Sequence, residues 1–197
     1  MRIGVIGLQG DVAEHIEAVQ KAMKEENIPG EVVWIRKAEQ INGLDRIILP
    51  GGESTTIGKL IIKAGIDIAL REAAQKGTPI FGTCAGLVLL ASEGDEEVAK
   101  TGQVLLGLMD IKVKRNAFGR QPESFETDLN IPELGNKPFR AVFIRAPAIE
   151  KVGKDVQILA KFKDKIVVAR QKNLLVTSFH PELTDDTRLH SYFLRMK

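Results

Sequence analysis

Three short apolar runs each stop at glycine: RIGVIG at 2–7, RIILPGG at 46–52 and PIFG at 79–82. Runs that are apolar at consecutive positions suit strands buried on both faces of a sheet. Between them the period changes. Val12, Ile16, Val19 and Met23 recur at helical spacing, Asp11 stands where it can cap that helix, and Pro29-Gly30 ends it. EVVWIR supplies a further strand, helical patterns fill roughly 56–76, and Ala85 to Ala91 opens another helix. Buried strands alternating with helices predict an α/β fold with a parallel sheet and helices on both faces.

Past about residue 110 the rhythm changes. IKVKR, SFETDL, RAVFIRA, VQILAKF, KIVVARQ and LLVTSF read as strands joined by short turns, so this half adds strands, some of them antiparallel. TDDTRLHSYFLRM reads as a closing helix with Thr184 or Asp185 as its cap, and EGDEEVAKTGQ at 93–103 as a variable loop. With 197 residues, 44% hydrophobic, and no repeat or linker, one domain over 1–197 is the expectation. The formal charge of +2, scattered basic residues and 5% aromatics point away from nucleic acid. No apolar run approaches the roughly 20 residues that span a bilayer, and the N-terminus lacks the apolar core of a signal peptide. A single cysteine cannot make an internal disulfide and fits a reducing, cytoplasmic setting.

That cysteine, Cys84, lies in PIFGTCAGLVLLA. A lone cysteine near apolar strands is usually a small buried hydrophobe. Here it falls between a strand and a helix in the order G-T-C-A-G, the spacing of a nucleophile elbow with cysteine in place of serine. Small neighbours suit a tight turn that a substrate must approach. A helix N-terminus aimed at a sulfur favours the reactive thiolate, and the N–H of Ala85 is placed to donate to an oxyanion.

A cysteine nucleophile needs a base, and the base needs an acceptor to orient it. His180 follows the apolar strand of LLVTSFHPELT, and Glu182 stands two residues on. In an extended segment i and i+2 point the same way, so the carboxylate can reach the imidazole nitrogen turned away from Cys84. Without Cys84 this would be a strand-end histidine beside a solvated glutamate. His15 and His190 fall within helical patterns and read as surface or packing residues, with His15 also able to lie near a subunit contact or the site rim. Pro50-Gly51-Gly52 is either a plain strand-ending turn or a loop whose N–H groups face a ligand, with Glu53, Ser54 and Thr55 adding polar groups. No Gly-Lys-Ser/Thr follows, so it is not a phosphate loop.

Six segments together resemble one family: GLQGDVAEH (7–15), LPGGESTT (49–56), FGTCAGL (81–87), RNAFGRQPESFE (115–126), AVFIRAP (141–147) and SFHPELTDDTRLH (178–190). GTCAGL and HPE are similar to class I (triad) glutamine amidotransferases. The other segments resemble the glutaminase subunits of pyridoxal 5'-phosphate synthases. The resemblance implies a three-layer Rossmann-like fold with a mostly parallel central sheet. It implies hydrolysis of L-glutamine to glutamate and ammonia, with Cys84 as nucleophile, His180 as general base and Glu182 as orienting carboxylate. The N–H groups of Gly52 and Ala85 would form the oxyanion hole. Gly52, Glu53, Ser54, Arg115, Ile144 and Arg145 match glutamine-binding positions, and the GLQGD segment matches one near both the oxyanion strand and the partner interface, which makes Gln9 a candidate for coupling the two. Ammonia would pass to a synthase (lyase) subunit in a hetero-oligomer, and neither cofactor nor metal is implied. Two rivals remain: another cysteine hydrolase with the same elbow, which H-P-E and the six segments argue against, and a binding module without turnover. An inactive module would be expected to have lost part of Cys84, His180 or Glu182, and all three are present.

Overall fold

The computed structural model describes residues 1–118 and 124–197, so the middle of the RNAFGRQPESFE segment lies outside the described residues. The apolar runs are strands: β1 (Arg2–Ile6), β2 (Glu31–Ile35), β3 (Arg46–Leu49) and β4 (Ile80–Thr83). They lie parallel in the order β2-β1-β3-β4, and β12 (Leu174–Thr177) joins β4, also in parallel. Beyond β12 the pairing turns antiparallel through β11 (Lys165–Gln171), β9 (Ala148–Val152) and β6 (Met109–Lys114). β5 (Ala91–Gly94) closes that edge in parallel with β6, and β10 (Gln157–Phe162) pairs with β11. β7 (Ser124–Leu129) and β8 (Phe139–Ile144) form a separate two-stranded ribbon. The mostly parallel α/β sheet with added antiparallel strands is therefore present.

Consecutive apolar residues serve two cores. Ile47, Leu49, Ile80, Leu174 and Val176 point into one hydrophobic cluster. Their neighbours Ile48, Phe81 and Leu175 point into the other. This is the period-two alternation of a sheet covered on both faces. The first cluster is roofed by α2 (Ser54–Lys63), α3 (Ile66–Gln75) and α4 (Ala85–Leu90). The second is roofed by α1 (Val12–Glu25), α6 (Arg188–Arg195) and the β7–β8 ribbon.

Several expectations need correction. The helical stretch over 56–76 is two helices, broken at Gly65, whose φ of 66° is left-handed. The helix after Cys84 ends at Leu90, because Ala91 turns into β5. The 93–103 stretch is not a plain loop: α5 (Glu96–Lys100) lies in it, capped by Asp95, whose carboxylate accepts the Val98 N–H at 3.0 Å. The closing helix starts at Arg188 rather than after Thr184 or Asp185, and Asp186 accepts the Arg188 N–H at 3.1 Å. Among the described residues no helix is long and apolar enough to cross a membrane.

Phe81 is the central side chain of the second core. It is fully buried, with its ring 5.4 Å from that of Phe193 and 6.0 Å from that of His190. Phe81→Ala is expected to lower stability by about 3–5 kcal/mol, read as a lower urea midpoint at unchanged denaturant slope.

Candidate active site

The C-terminal ends of β1, β3, β4 and β12 open on one edge of the sheet, where open α/β sheets place their ligand crevice. Residues 7–11, 51–54, 84–85 and 178–182 leave the strands there.

Cys84 is the bend between β4 and α4. Its φ of 47° and ψ of −99° are costly for a residue with a side chain, about 1–3 kcal/mol. Neighbours hold it there. The Cys84 N–H donates to the Thr177 carbonyl at 2.8 Å, continuing the β4–β12 pairing into the bend. A Cβ on Gly86 would run into the Leu49 carbonyl, so only glycine lets the first turn of α4 rest on β3. The G-x-C-x-G spacing is thus a packing requirement of the bend, since a Cβ on Gly82 would meet the Gly86 backbone as well.

His180 lies past the end of β12 and is fastened by its N–H to the Val142 carbonyl at 2.8 Å. Its Nδ1 is 2.8 Å from Glu182 Oε1 and 3.3 Å from Asp11 Oδ2. The expected His180–Glu182 contact is present, but it arises otherwise than expected. The chain does not stay extended after His180; Pro181–Leu183 make a 3₁₀ turn that folds the carboxylate back under the ring. With Nδ1 occupied, Nε2 is left for Cys84. Asp11, expected as a helix cap, makes no cap bond and turns its carboxylate to His180 instead.

These contacts sort the charges. Burial alone would lower the pKa of His180, but its bonds to Asp11, Cys84 and Glu182 outweigh that and push it up to about 12, so the ring holds its proton. Asp11, half-exposed and bonded to His180, is lowered. Glu182 is raised, because burial outweighs its bond to the same ring. Asp11, His180 and Glu182 offer three potential metal-ligand atoms within 4.8 Å of one another. The 2.8 Å N–O separation is a hydrogen bond that commits Nδ1 to Glu182.

Cys84 and His180 open into a cleft of about 440 Å³. Gly52, Glu53, Ser54, Ala85, Arg115, Ile144 and Arg145 line it, so the residues expected at the site converge. Their side chains are not all free. Glu53 caps α2, accepting from the N–H groups of Thr55 and Thr56, and these bonds outweigh the effect of burial and hold its carboxyl at about 2. Its Oε1 also accepts from Arg115 at 2.8 Å. The Ser54 hydroxyl donates to Gln103 at 2.7 Å. Gln9 stands beneath the loop, its Oε1 accepting the Glu53 N–H at 3.0 Å. Asp11, Asn116 and Pro147 also line the cleft and were not expected there.

The largest surprise lies behind Glu182. His15 and His190 have no exposure at all. His15 Nε2 is 2.9 Å from Thr83 Oγ1 and 3.3 Å from Glu182 Oε2, and its Nδ1 is 3.4 Å from His190 Nε2. The helical period carried the signal, since Val12, His15, Val19 and Ala22 form the buried face of α1.

A family model described as "SNO glutamine amidotransferase family" matches residues 5–197. A protein of Archaeoglobus fulgidus named pyridoxal 5'-phosphate synthase subunit PdxT is 56% identical over 196 residues, covering 100% of this chain and 98% of the relative. One of Methanocella arvoryzae with the same name is 58% identical, covering 100% and 97%. A solved structure titled as a glutamine amidotransferase superposes with a TM-score of 0.86 at 47% identity, covering 98% of this chain and 96% of that one.

Burial lowers His15 well below 6.5 and takes His190 from 6.5 to about 4, so both are neutral in the folded protein. Below about pH 6.5 the unfolded chain takes up protons that the folded chain refuses. Stability is therefore expected to fall as pH drops from 6.5 toward 4, by up to about 1.4 kcal/mol per pH unit for each histidine. Urea midpoints measured between pH 7 and 5 should show that slope, and His190→Phe should flatten it.

Proposed function

The chain belongs to the SNO glutamine amidotransferase family, and from that membership we propose that it is the glutaminase subunit of a pyridoxal 5'-phosphate synthase. It hydrolyses L-glutamine to glutamate and ammonia in the cytoplasm and hands the ammonia to a synthase subunit of the same hetero-oligomer. One observation carries the chemistry: a cysteine held at a left-handed strand-to-helix bend shares a cleft with a histidine whose far nitrogen is bonded to a buried glutamate.

Cys84 attacks the side-chain carboxamide carbon of glutamine. A cysteine paired with a protonated imidazole attacks as its thiolate. The carbonyl electrons move onto oxygen, and the N–H groups of Gly52 and Ala85 receive that oxyanion, each able to contribute about 3 kcal/mol. As the tetrahedral carbon collapses, the C–N bond breaks and His180 gives its proton to the departing ammonia. Water, deprotonated by the now neutral His180, attacks the γ-glutamyl thioester, and glutamate leaves as the sulfur is released. Glu182 holds Nδ1 throughout, so Nε2 always faces the reacting atoms.

The cleft wall supports an amino-acid substrate. Arg115 gives one donor to Glu53 and keeps others, because a guanidinium carries five N–H groups. Those donors suit the α-carboxylate of glutamine. Ile144 and Arg145 close the opposite side, with Arg145 held at a φ of 42°. Glu53 acts through its position, fixing Arg115 and the start of α2. Gln9 braces the loop that carries Gly52 and belongs to the segment expected at the partner interface, which makes it the coupling residue.

Glutamate release from glutamine is expected to rise when the synthase subunit is added and to vanish in Cys84→Ala. Equal release by both proteins with partner present would sink the proposal. Arg115→Ala is expected to raise KM about 10- to 100-fold, the loss of one charged hydrogen bond. Ammonium salts should replace the chain in an assay of the complete synthase.

A further inference from the structure

Glu182 has one side-chain oxygen on His180 and the other, Oε2, in the interior with no hydrogen-bond partner of normal geometry. A carboxylate oxygen in that position is costly unless a donor faces it. Among the described residues one side-chain N–H can do so, that of His15 Nε2 at 3.3 Å.

Which nitrogens carry hydrogen can be settled by counting donors. If His15 bore its proton on Nδ1, it would point a lone pair at the carboxylate and donate to His190 Nε2. His190 would then carry its proton on Nδ1, which has no partner in the interior. The opposite assignment leaves no orphan donor. His190 Nε2–H donates to His15 Nδ1 and His15 Nε2–H donates to Thr83 Oγ1 with Glu182 Oε2 3.3 Å away, so that only acceptors, His190 Nδ1 and Glu182 Oε2, lack a hydrogen bond.

We propose that His15 is a positioning residue for the Cys84–His180–Glu182 unit: His190 fixes its tautomer, and its Nε2–H, bonded to Thr83 and 3.3 Å from the inner oxygen of Glu182, favours the ionised carboxylate so that the outer oxygen stays on His180. The hydrogen bonds then run from His190 through His15 to Thr83, with the inner oxygen of Glu182 beside the last donor and its outer oxygen bonded to His180. His15 touches neither the cleft nor the sulfur and acts through Glu182 alone. The other charged groups around Glu182 are accounted for. Asp11 shares His180 with it. Glu14, Glu17, Lys21, Asp185 and Asp186 line a cavity of about 170 Å³ on the outer side of Glu182 and His190. None of these makes a hydrogen bond to Oε2, and His15 Nε2 at 3.3 Å is a close contact short of hydrogen-bond geometry.

The inference rests on the reading of the site given above, and its test separates the two. The unit works only while Glu182 is ionised. Removing the N–H that faces Oε2 makes that ionised form harder to keep, so the low-pH limb of reactivity moves to higher pH. The rate of Cys84 alkylation by iodoacetamide, followed against pH in the full chain, reads this without glutamine. In His15→Leu the limb should rise by about one pH unit, about a tenfold slower reaction on its slope. In the complex with the synthase subunit, kcat should fall while KM for glutamine stays within about twofold. His15→Gln, which restores an N–H, should recover most of both. His190→Phe, which keeps the ring against Phe81 but frees the tautomer, should move the limb the same way by less. An unmoved limb in His15→Leu overturns the proposal. So does a His15→Gln variant as impaired as His15→Leu, since that marks a packing role. Should His15→Leu fail to fold, His190→Phe decides by the same criterion. A wild-type chain without glutaminase activity would instead remove the functional reading and leave the alkylation result standing by itself.

Discussion

Glu182 carries an ionisable group to a place water does not reach, and the architecture around it answers that cost. Its side chain has no exposure. An isolated buried carboxylate would cost several kcal/mol and would take up a proton instead. The protein meets this with a protonated imidazole at 2.8 Å and a neutral one at 3.3 Å. The two contacts come from different directions: His180 from the end of β12, and His15 from the buried face of α1. The pairing of α1 with the far end of the chain therefore does more than cover the sheet. It brings His15 Nε2 to within 3.3 Å of the Glu182 oxygen that is not bonded to His180.

The same logic governs the bend at Cys84. A left-handed conformation at a non-glycine residue persists only when its surroundings over-determine it. Here the Cys84 N–H is taken by Thr177, the turn of α4 rests on the Leu49 carbonyl, and the side chains of α4 are buried throughout. Strain at the sulfur is thus balanced by packing a few residues away. A six-residue helix with no polar face would not form by itself in water. It exists because the sheet beneath and α2 beside it remove its surface from solvent.

How much of this was legible in the sequence depended on which force placed each residue. The parallel strands were readable because burial on both faces leaves an unbroken apolar run, and β1, β3 and β4 end within a residue or so of where the glycines stop them. The bend at Cys84 was readable through local spacing, and the His180–Glu182 contact was expected, though a 3₁₀ turn and not an extended backbone makes it. β5, β9 and α5 were not, because AIEKV and ASEGDEEVAK are rich in charge and form only by pairing with β6 or by the Asp95 cap. Asp11 was misread because a carboxylate before a helix is a good cap, and only the fold shows that His180 competes for it and wins. His15 was expected as a surface or packing residue, and its burial bears out packing; the carboxylate beside it was not foreseen. Periodicity says that a residue is inside; it does not say what polar group waits there.

Asp11, Glu53 and Glu182, three of the carboxylates around one cleft, differ in ionisation, and exposure with bonding partners decides each. Glu53 at the mouth accepts the N–H groups that start α2 and stays ionised down to about 2. It is therefore a constant charge for Arg115 to lean on. Asp11, half-buried, is lowered by His180 and shares its proton-bearing nitrogen. Glu182, sealed in, is raised. Of the three, only Glu182 is moved upward, because its burial outweighs its bond to His180. The front wall is built to stay fixed: Asp95 accepts the Arg115 N–H at 3.3 Å, Glu97 accepts from Asn116 at 2.6 Å, and Gln103 holds Ser54. All three supports come from the 93–103 stretch that reads as a loop in the sequence, so that stretch braces this wall of the cleft.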